Sequence, residues 1–213
     1  MPSHVAVIAD IVGSRTLTDR AGAQRAIIAS SRQVHADHPV SVSPLAATVG
    51  DEFQAVYPDL PAALASLLLL QLHLPEGIQL RFGLGVGAVD RVDDGITDGP
   101  GWWAARAAIE HAHRLQDRAV PHARTRIATE QGQDAVMTER IAYANAYVLA
   151  RDELVSAMSG RTRRLTYGRC LGRTQRELAE AEGITQPAVS QALSAAGSAA
   201  LVAGFTDLST DPS

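Results

Sequence analysis

The stretch Val5-Ala-Val-Ile-Ala-Asp10-Ile-Val-Gly-Ser-Arg15 begins as an apolar, partly β-branched run and ends on a lone carboxylate. Gly13, Ser14 and Arg15 follow it. A short apolar run of this composition reads as a buried strand. An acid at its exit, then a small-residue loop with a cation, suits holding a metal and a phosphate. The same residues also fit a plain turn in which Asp10 is a cap, and taken alone that is the stronger reading.

The next apolar runs shift the balance. Leu45-Ala-Ala-Thr-Val49 and Glu52-Phe-Gln-Ala-Val-Tyr57 read as strands, with Gly50-Asp51 between them. Two strands joined by Gly-X form a tight hairpin with Gly in the left-handed position. The order is then strand, helix, strand, strand, helix, strand. A right-handed crossover from the first to the second strand leaves room for one strand between them. The third strand fills it, antiparallel to the first. This predicts an α/β fold: a ferredoxin-like βαββαβ palm with an antiparallel sheet. It brings Asp10 and Asp51 to one sheet edge, an arrangement that describes a magnesium–nucleotide site.

Composition sets bounds. The chain has 213 residues, 46% of them hydrophobic, enough for one ordinary domain and a small one. Its formal charge of −4 confines any nucleic-acid contact to a local patch. The single cysteine, Cys170, rules out an internal disulfide and fits a reducing cytosol. No signal peptide is read at the start, because Asp10 interrupts the apolar run with no basic leader before it. The longest apolar run, Leu67–Leu74, contains Gln71 and His73 and is too short for a bilayer. A cytoplasmic protein without a membrane partner is expected.

Further along, Asp19 caps a helix to about His35, with Ala23, Ile27, Ile28 and Val34 as its apolar stripe. Asp59 caps a second helix with Pro61 in its first turn. Gln79–Gly87 is a fourth strand. Its Gly83, Gly85 and Gly87 leave space on one face for a nucleotide or for a packed helix. Arg91–Gly101 reads as a polar loop holding Asp93, Asp94 and Asp98. A helix opens at about Trp102 and carries Arg106. His111 and His113 do not share a helix face, so no zinc site is read there. A strand near Thr125–Ala128 closes the palm, 1–130. A long helix from about Thr138 to Ala157 follows, as a spacer or a dimer seam, and begins the second unit, 131–213.

That unit holds Thr174-Gln-Arg-Glu-Leu-Ala-Glu-Ala-Glu-Gly183-Ile-Thr-Gln-Pro-Ala-Val-Ser-Gln-Ala-Leu193. Leu178 and Ala179 face inward, Gly183 makes the turn, Thr185 caps the next helix, and Val189 and Leu193 hold that helix down. This predicts a helix-turn-helix, with Thr185, Gln186, Ser190 and Gln191 toward DNA bases. Arg163, Arg164 and Arg173, with Arg161, Arg169 and Arg176, supply phosphate contacts. A helical hairpin for protein contact fits the same residues.

Ala9-Asp10-Ile-Val-Gly-Ser14, Thr48-Val-Gly-Asp51-Glu52, Arg81-Phe-Gly-Leu-Gly-Val-Gly87 and Gly101-Trp-Trp-Ala-Ala-Arg106 resemble, in order, the motifs of class III nucleotide cyclases. Gly50-Asp-Glu-Phe53 also resembles the diguanylate-cyclase palm. The C-terminal half resembles the tri-helical modules of sigma factors and bacterial repressors, and the whole chain resembles the SatD family of bacterial proteins. The cyclase resemblance implies Mg2+ on Asp10 and Asp51, phosphate contacts from Gly13, Ser14 and Arg15, and Arg106 on the reacting phosphates. Two positions depart from that pattern. Trp102 stands where such cyclases place an Asn, and Ala47 where they place a base-selecting Lys. Loss of one transition-state donor typically costs about 2.7–4 kcal/mol.

Two functions fit the sequence. One is a homodimeric DNA-binding transcription regulator whose palm binds a nucleotide with Mg2+. The other is an active cyclase or nucleotidyltransferase, with Asp10, Asp51 and Arg106 catalytic, carrying a DNA-binding module. A palm that serves only for dimerisation is a third reading.

Overall fold

The computed structural model describes residues 4–48, 50–93, 96–130 and 132–210. Val49 and Asp94, named above, lie outside them, as does position 131, where the second unit is set to begin. The elements run β1 His4–Ile11, α1 Arg20–Asp37, β2 Ser43–Ala47, β3 Glu52–Tyr57, α2 Leu60–His73 and β4 Leu80–Gly87. A small hairpin follows, β5 Asp90–Asp93 and β6 Ile96–Asp98, then α3 Pro100–Arg118 and β7 Thr125–Thr129. The chain continues with α4 Ala135–Ser156, α5 Gly160–Cys170, α6 Gln175–Glu182, α7 Gln186–Ala195 and α8 Ser198–Ser209. No single helix among the described residues is long and apolar enough to cross a membrane.

The main sheet has the order β2-β3-β1-β4-β7. β3 lies between β1 and β2 and is antiparallel to both, and β4 is antiparallel to β1 on its other side. β7 adds a parallel strand outside β4. The hairpin turn carries Gly50 at φ 73°, where a residue without Cβ is favoured. β1 alternates across the sheet: Val5, Val7, Ala9 and Ile11 enter the large core, while Ala6 and Ile8 enter a smaller one under α3.

α1 and α2 cover the first face. Asp19 and Asp59 accept from the Gly22 and Ala62 N–H groups at 2.7 and 2.8 Å and so start the two helices. α2 is buried nearly all round, each fully buried Leu contributing about 1.5–3 kcal/mol. α3 covers part of the other face. The space at Gly83 and Gly85 belongs to this helix: an added Cβ would collide with Ala105 O and Ile109 N at Gly83, and with Gly101 O and Ala105 N at Gly85. Of the two occupants considered for the glycine face, the packed helix is the one present.

Two expectations are corrected. The segment after β4 is not all loop, because Asp90–Asp93 pairs with Ile96–Asp98 as β5 and β6. Nor is the long helix a free spacer. α4 lies along the edge strand β7, and Asn145 bonds both the N–H and the C=O of Ile127. The large core runs on through Ile141, Val148, Val155, Tyr167, Leu201 and Phe205, so the C-terminal helices share it with the sheet. α5, α6 and α7 enclose a separate small core of Leu165, Leu178, Ala179, Val189 and Leu193.

Candidate nucleotide and nucleic-acid sites

Across three neighbouring strands, Glu52, Asp10 and Arg81 are register partners and form one row on the α3 face. Arg81 is buried, and its Nη1 donates to both oxygens of Asp10 at 2.9 and 3.0 Å. Its Nε and Nη2 donate to Gln116 Oε1 on α3 at 3.2 and 2.9 Å. At the other end, Arg106 of α3 clasps Glu52 through both carboxylate oxygens, at 2.9 and 2.7 Å. α3 thus grips the row at two points.

Burial raises the pKa of Asp10, Arg81 opposes the rise, and the negative charge of Asp51 adds to it. The expected pair of carboxylates is therefore brought within electrostatic reach. Among the described residues no group of three or more His, Cys, Asp or Glu side chains gathers to hold a metal ion, and both oxygens of Asp10 already accept from Arg81. The bond from Glu52 raises the Arg106 pKa. Gly13 takes a left-handed φ of 69° and opens the turn Ser14–Thr16, with Arg15 exposed.

Sequence reading missed Arg81 and Glu52 as parts of this site. Both stand inside quoted motifs. What marks them is the register that sets one on each side of Asp10, and only the paired sheet supplies that.

Beside the row, β2 and β3 leave their α3-side face open. A cleft of about 580 Å3 lies there, walled by Ala47, Thr48, Gln54, Val56, Val89 and Trp102. Ala47 and Trp102, the two departures from the cyclase pattern, thus line one space. Trp102 is buried, whereas Trp103 beside it is 65% exposed.

In the C-terminal part, α6 starts with a capping box between Thr174 and Glu177 and ends at Gly183, φ 64°. Thr185 accepts from Ala188 N–H at 3.4 Å and opens α7. Gln186, Ser190 and Gln191 are exposed on α7, opposite the buried Val189 and Leu193. The arginines are divided. Arg173 is exposed, but Arg164 is held by Glu182 through two bonds of 2.7 Å, with Arg161 at 3.8 Å from the same carboxylate. The Arg164 bond lowers the Glu182 pKa. Arg163 turns instead into an inner cavity between α2, α4 and α5.

The model of the SatD family matches residues 4–201 of this chain. The chain belongs to the SatD family. No curated protein matches this SatD-family chain. The solved structures it resembles include nucleotide cyclase domains. One is an adenylate cyclase of Trypanosoma brucei, at 16% identity over 50% of this chain and 68% of that one, with a TM-score of 0.42. Another is the dimeric guanylyl cyclase domain of the RhoGC fusion protein of Blastocladiella emersonii, at 18% identity over 52% and 74%, TM-score 0.41. A third is the guanylate cyclase domain of RhGC from Catenaria anguillulae, at 18% identity over 51% and 72%, TM-score 0.38.

Proposed function

We propose that this SatD-family protein is a homodimeric DNA-binding regulator whose palm takes a nucleotide with Mg2+ and thereby sets its grip on DNA. The observation that carries the reading is the exposed polar face of α7. Thr185, Gln186, Ser190 and Gln191 stand clear of the α5–α7 core, free to meet base edges. A two-fold dimer would match a palindromic operator. In the palm, the open cleft over β2 and β3 would receive the base, with Trp102 in its wall as a stacking surface. Asp10 and Asp51 would hold the magnesium ion, which neutralises phosphate charge. Gly13, Ser14 and Arg15 lie just past Asp10 and would take the phosphates. Control requires that the nucleotide bind the DNA-competent and incompetent states with different affinity.

The engagement of Arg106 by Glu52 favours binding over turnover, since the arginine must leave a bidentate partner before it can touch phosphate. The second reading is an active cyclase with Asp10, Asp51 and Arg106 catalytic. It is favoured by the mutual reach of the two aspartates.

Calorimetric titration of the purified protein with each nucleoside triphosphate and the common cyclic nucleotides, with and without Mg2+, separates the readings when products are chromatographed alongside. Binding without product, lost in Asp10→Ala and coupled to retention of operator DNA, supports the regulator. A new cyclic or linear product supports the enzyme. If neither a nucleotide nor DNA is bound, the proposal fails.

A further inference from the structure

On the other face of the sheet from Asp10, where α2, the start of β4, α4 and α5 meet, lies a cavity of about 90 Å3. Its wall includes Gln71, Gln79, Arg124, Asp152, Ser156 and Arg163. Two polar atoms of that wall, Gln71 Oε1 and Arg163 Nε, are buried without a hydrogen-bond partner. A buried donor or acceptor left unmatched is costly.

The neighbouring acids give Arg163 Nε no hydrogen bond, although the charge of Glu76 acts on the guanidinium. Asp152 accepts from the N–H groups of Arg124 and Thr125 at 2.8 and 2.7 Å, from Gln71 Nε2 at 3.0 Å and from Arg151 Nη2 at 2.9 Å. Glu76, whose charge reaches Arg163, accepts the Gly160 N–H on Oε1 at 2.8 Å, at the start of α5. Arg124 is turned to Gln79 Oε1 and to the Pro121 carbonyl. Burial lowers the pKa of both Arg124 and Arg163, while the charges of Asp152 and Glu76 respectively oppose the fall.

We propose that this cavity binds a compact oxyanion that carries an O–H group, its oxygen on Arg163 of α5 and its hydroxyl on Gln71 of α2. The space suffices for such an anion or for a few waters. The ligand would tie the C-terminal helices to the sheet, because its two anchors belong to elements on either side of that junction. Protonated phosphate and a small hydroxy acid share the required chemistry.

Thermal unfolding of the full chain at fixed ionic strength tests this, with inorganic phosphate in one series, lactate in a second and chloride as the balancing salt. A saturable rise in Tm with phosphate or lactate is expected, about 5–10 °C at a hundredfold excess over Kd. Arg163→Gln should abolish it. Ser156→Asp, which sets a carboxylate in the same cavity, should abolish it too while the protein stays folded. Which series responds tells the two sources apart. No rise in either, or a rise that survives in both variants, overturns the proposal and leaves a water-filled cavity.

Discussion

Asn145 on α4 faces Ile127 on β7 as a strand would: its Oδ1 accepts the Ile127 N–H at 3.0 Å and its Nδ2 donates to the Ile127 C=O at 2.9 Å. β7 is an edge of the main sheet, and an edge presents unpaired backbone groups. One amide side chain satisfies two of them inside the protein. Asn145→Leu keeps the volume and removes both bonds, stranding two buried backbone groups. A loss of about 2–6 kcal/mol in urea unfolding is expected, at about 1–3 kcal/mol for each group. Stability unchanged within error would refute this role for Asn145.

Asp152, one helical stretch further along α4, gathers the N–H groups that begin β7 together with the fully buried Arg151. Asp152→Ala leaves a buried guanidinium unpaired, so a loss of about 3–5 kcal/mol is expected. Replacing Arg151 and Asp152 together by apolar residues should cost less than the sum of the two single changes. A double-mutant cycle by chemical denaturation reads this directly.

Gly85 sits where α3 crosses β4, and a methyl group there would meet the Gly101 carbonyl and the Ala105 N–H. Gly85→Ala should lower stability by about 3 kcal/mol and displace α3. Because α3 carries Arg106 and Gln116, the same change should also weaken any ligand held at the Asp10 row. A variant that is as stable as the parent would show that α3 gives way easily.

His38 packs on the Phe205 ring at 5.3 Å and His73 on Tyr167 at 5.0 Å, each joining the ends of α1 or α2 to the C-terminal helices. Tyr167 also donates to Asp37 at 2.6 Å. Burial lowers the pKa of both histidines, with Asp37 pulling His73 the other way. Their folded pKa values lie below the unfolded 6.5, so the unfolded chain binds more protons. Stability should be level above neutral pH and fall as pH drops through about 6.5. His38→Gln with His73→Gln should flatten that slope in unfolding midpoints between pH 8 and 5.5. An unchanged slope would assign it elsewhere.

Glu182 holds Arg164 and Arg161 at the back of α7. If the C-terminal unit binds DNA, Glu182→Gln frees up to two cations for phosphate. Affinity for non-specific DNA should rise. The plot of log K against log salt should steepen by about 0.9 for each new phosphate contact. A fluorescence-anisotropy salt series that leaves slope and affinity unaltered would argue against this face as a DNA surface.

Local signals were readable in the chain itself. Asp19, Asp59, Thr174 and Thr185 cap helices because each carries a side-chain acceptor just before an apolar periodic run, and capping is a matter of neighbouring residues. Gly50 and Gly183 take left-handed backbone for the same local reason. The order of the first three strands also followed, since crossover handedness leaves one slot between the first two, whereas β7 joins β4 in parallel and so departs from the expected antiparallel sheet. That order is also what led the sequence reading to name Asp10 and Asp51 as candidate site residues.

What the tertiary structure alone decided is who faces whom. The pairing of Arg81 with Asp10 depends on strand register, and that of Arg106 with Glu52 on the angle at which α3 crosses the sheet. The same holds for Arg164, Arg163 and α4, read in sequence as two phosphate contacts and a spacer or dimer seam. In the folded chain one arginine pairs with Glu182, the other lines a cavity, and the helix seals a sheet edge. These partners lie many residues apart. Spacing along a chain fixes which groups share an element and a face, but contact between elements depends on how whole faces pack, which is a property of all the side chains at once.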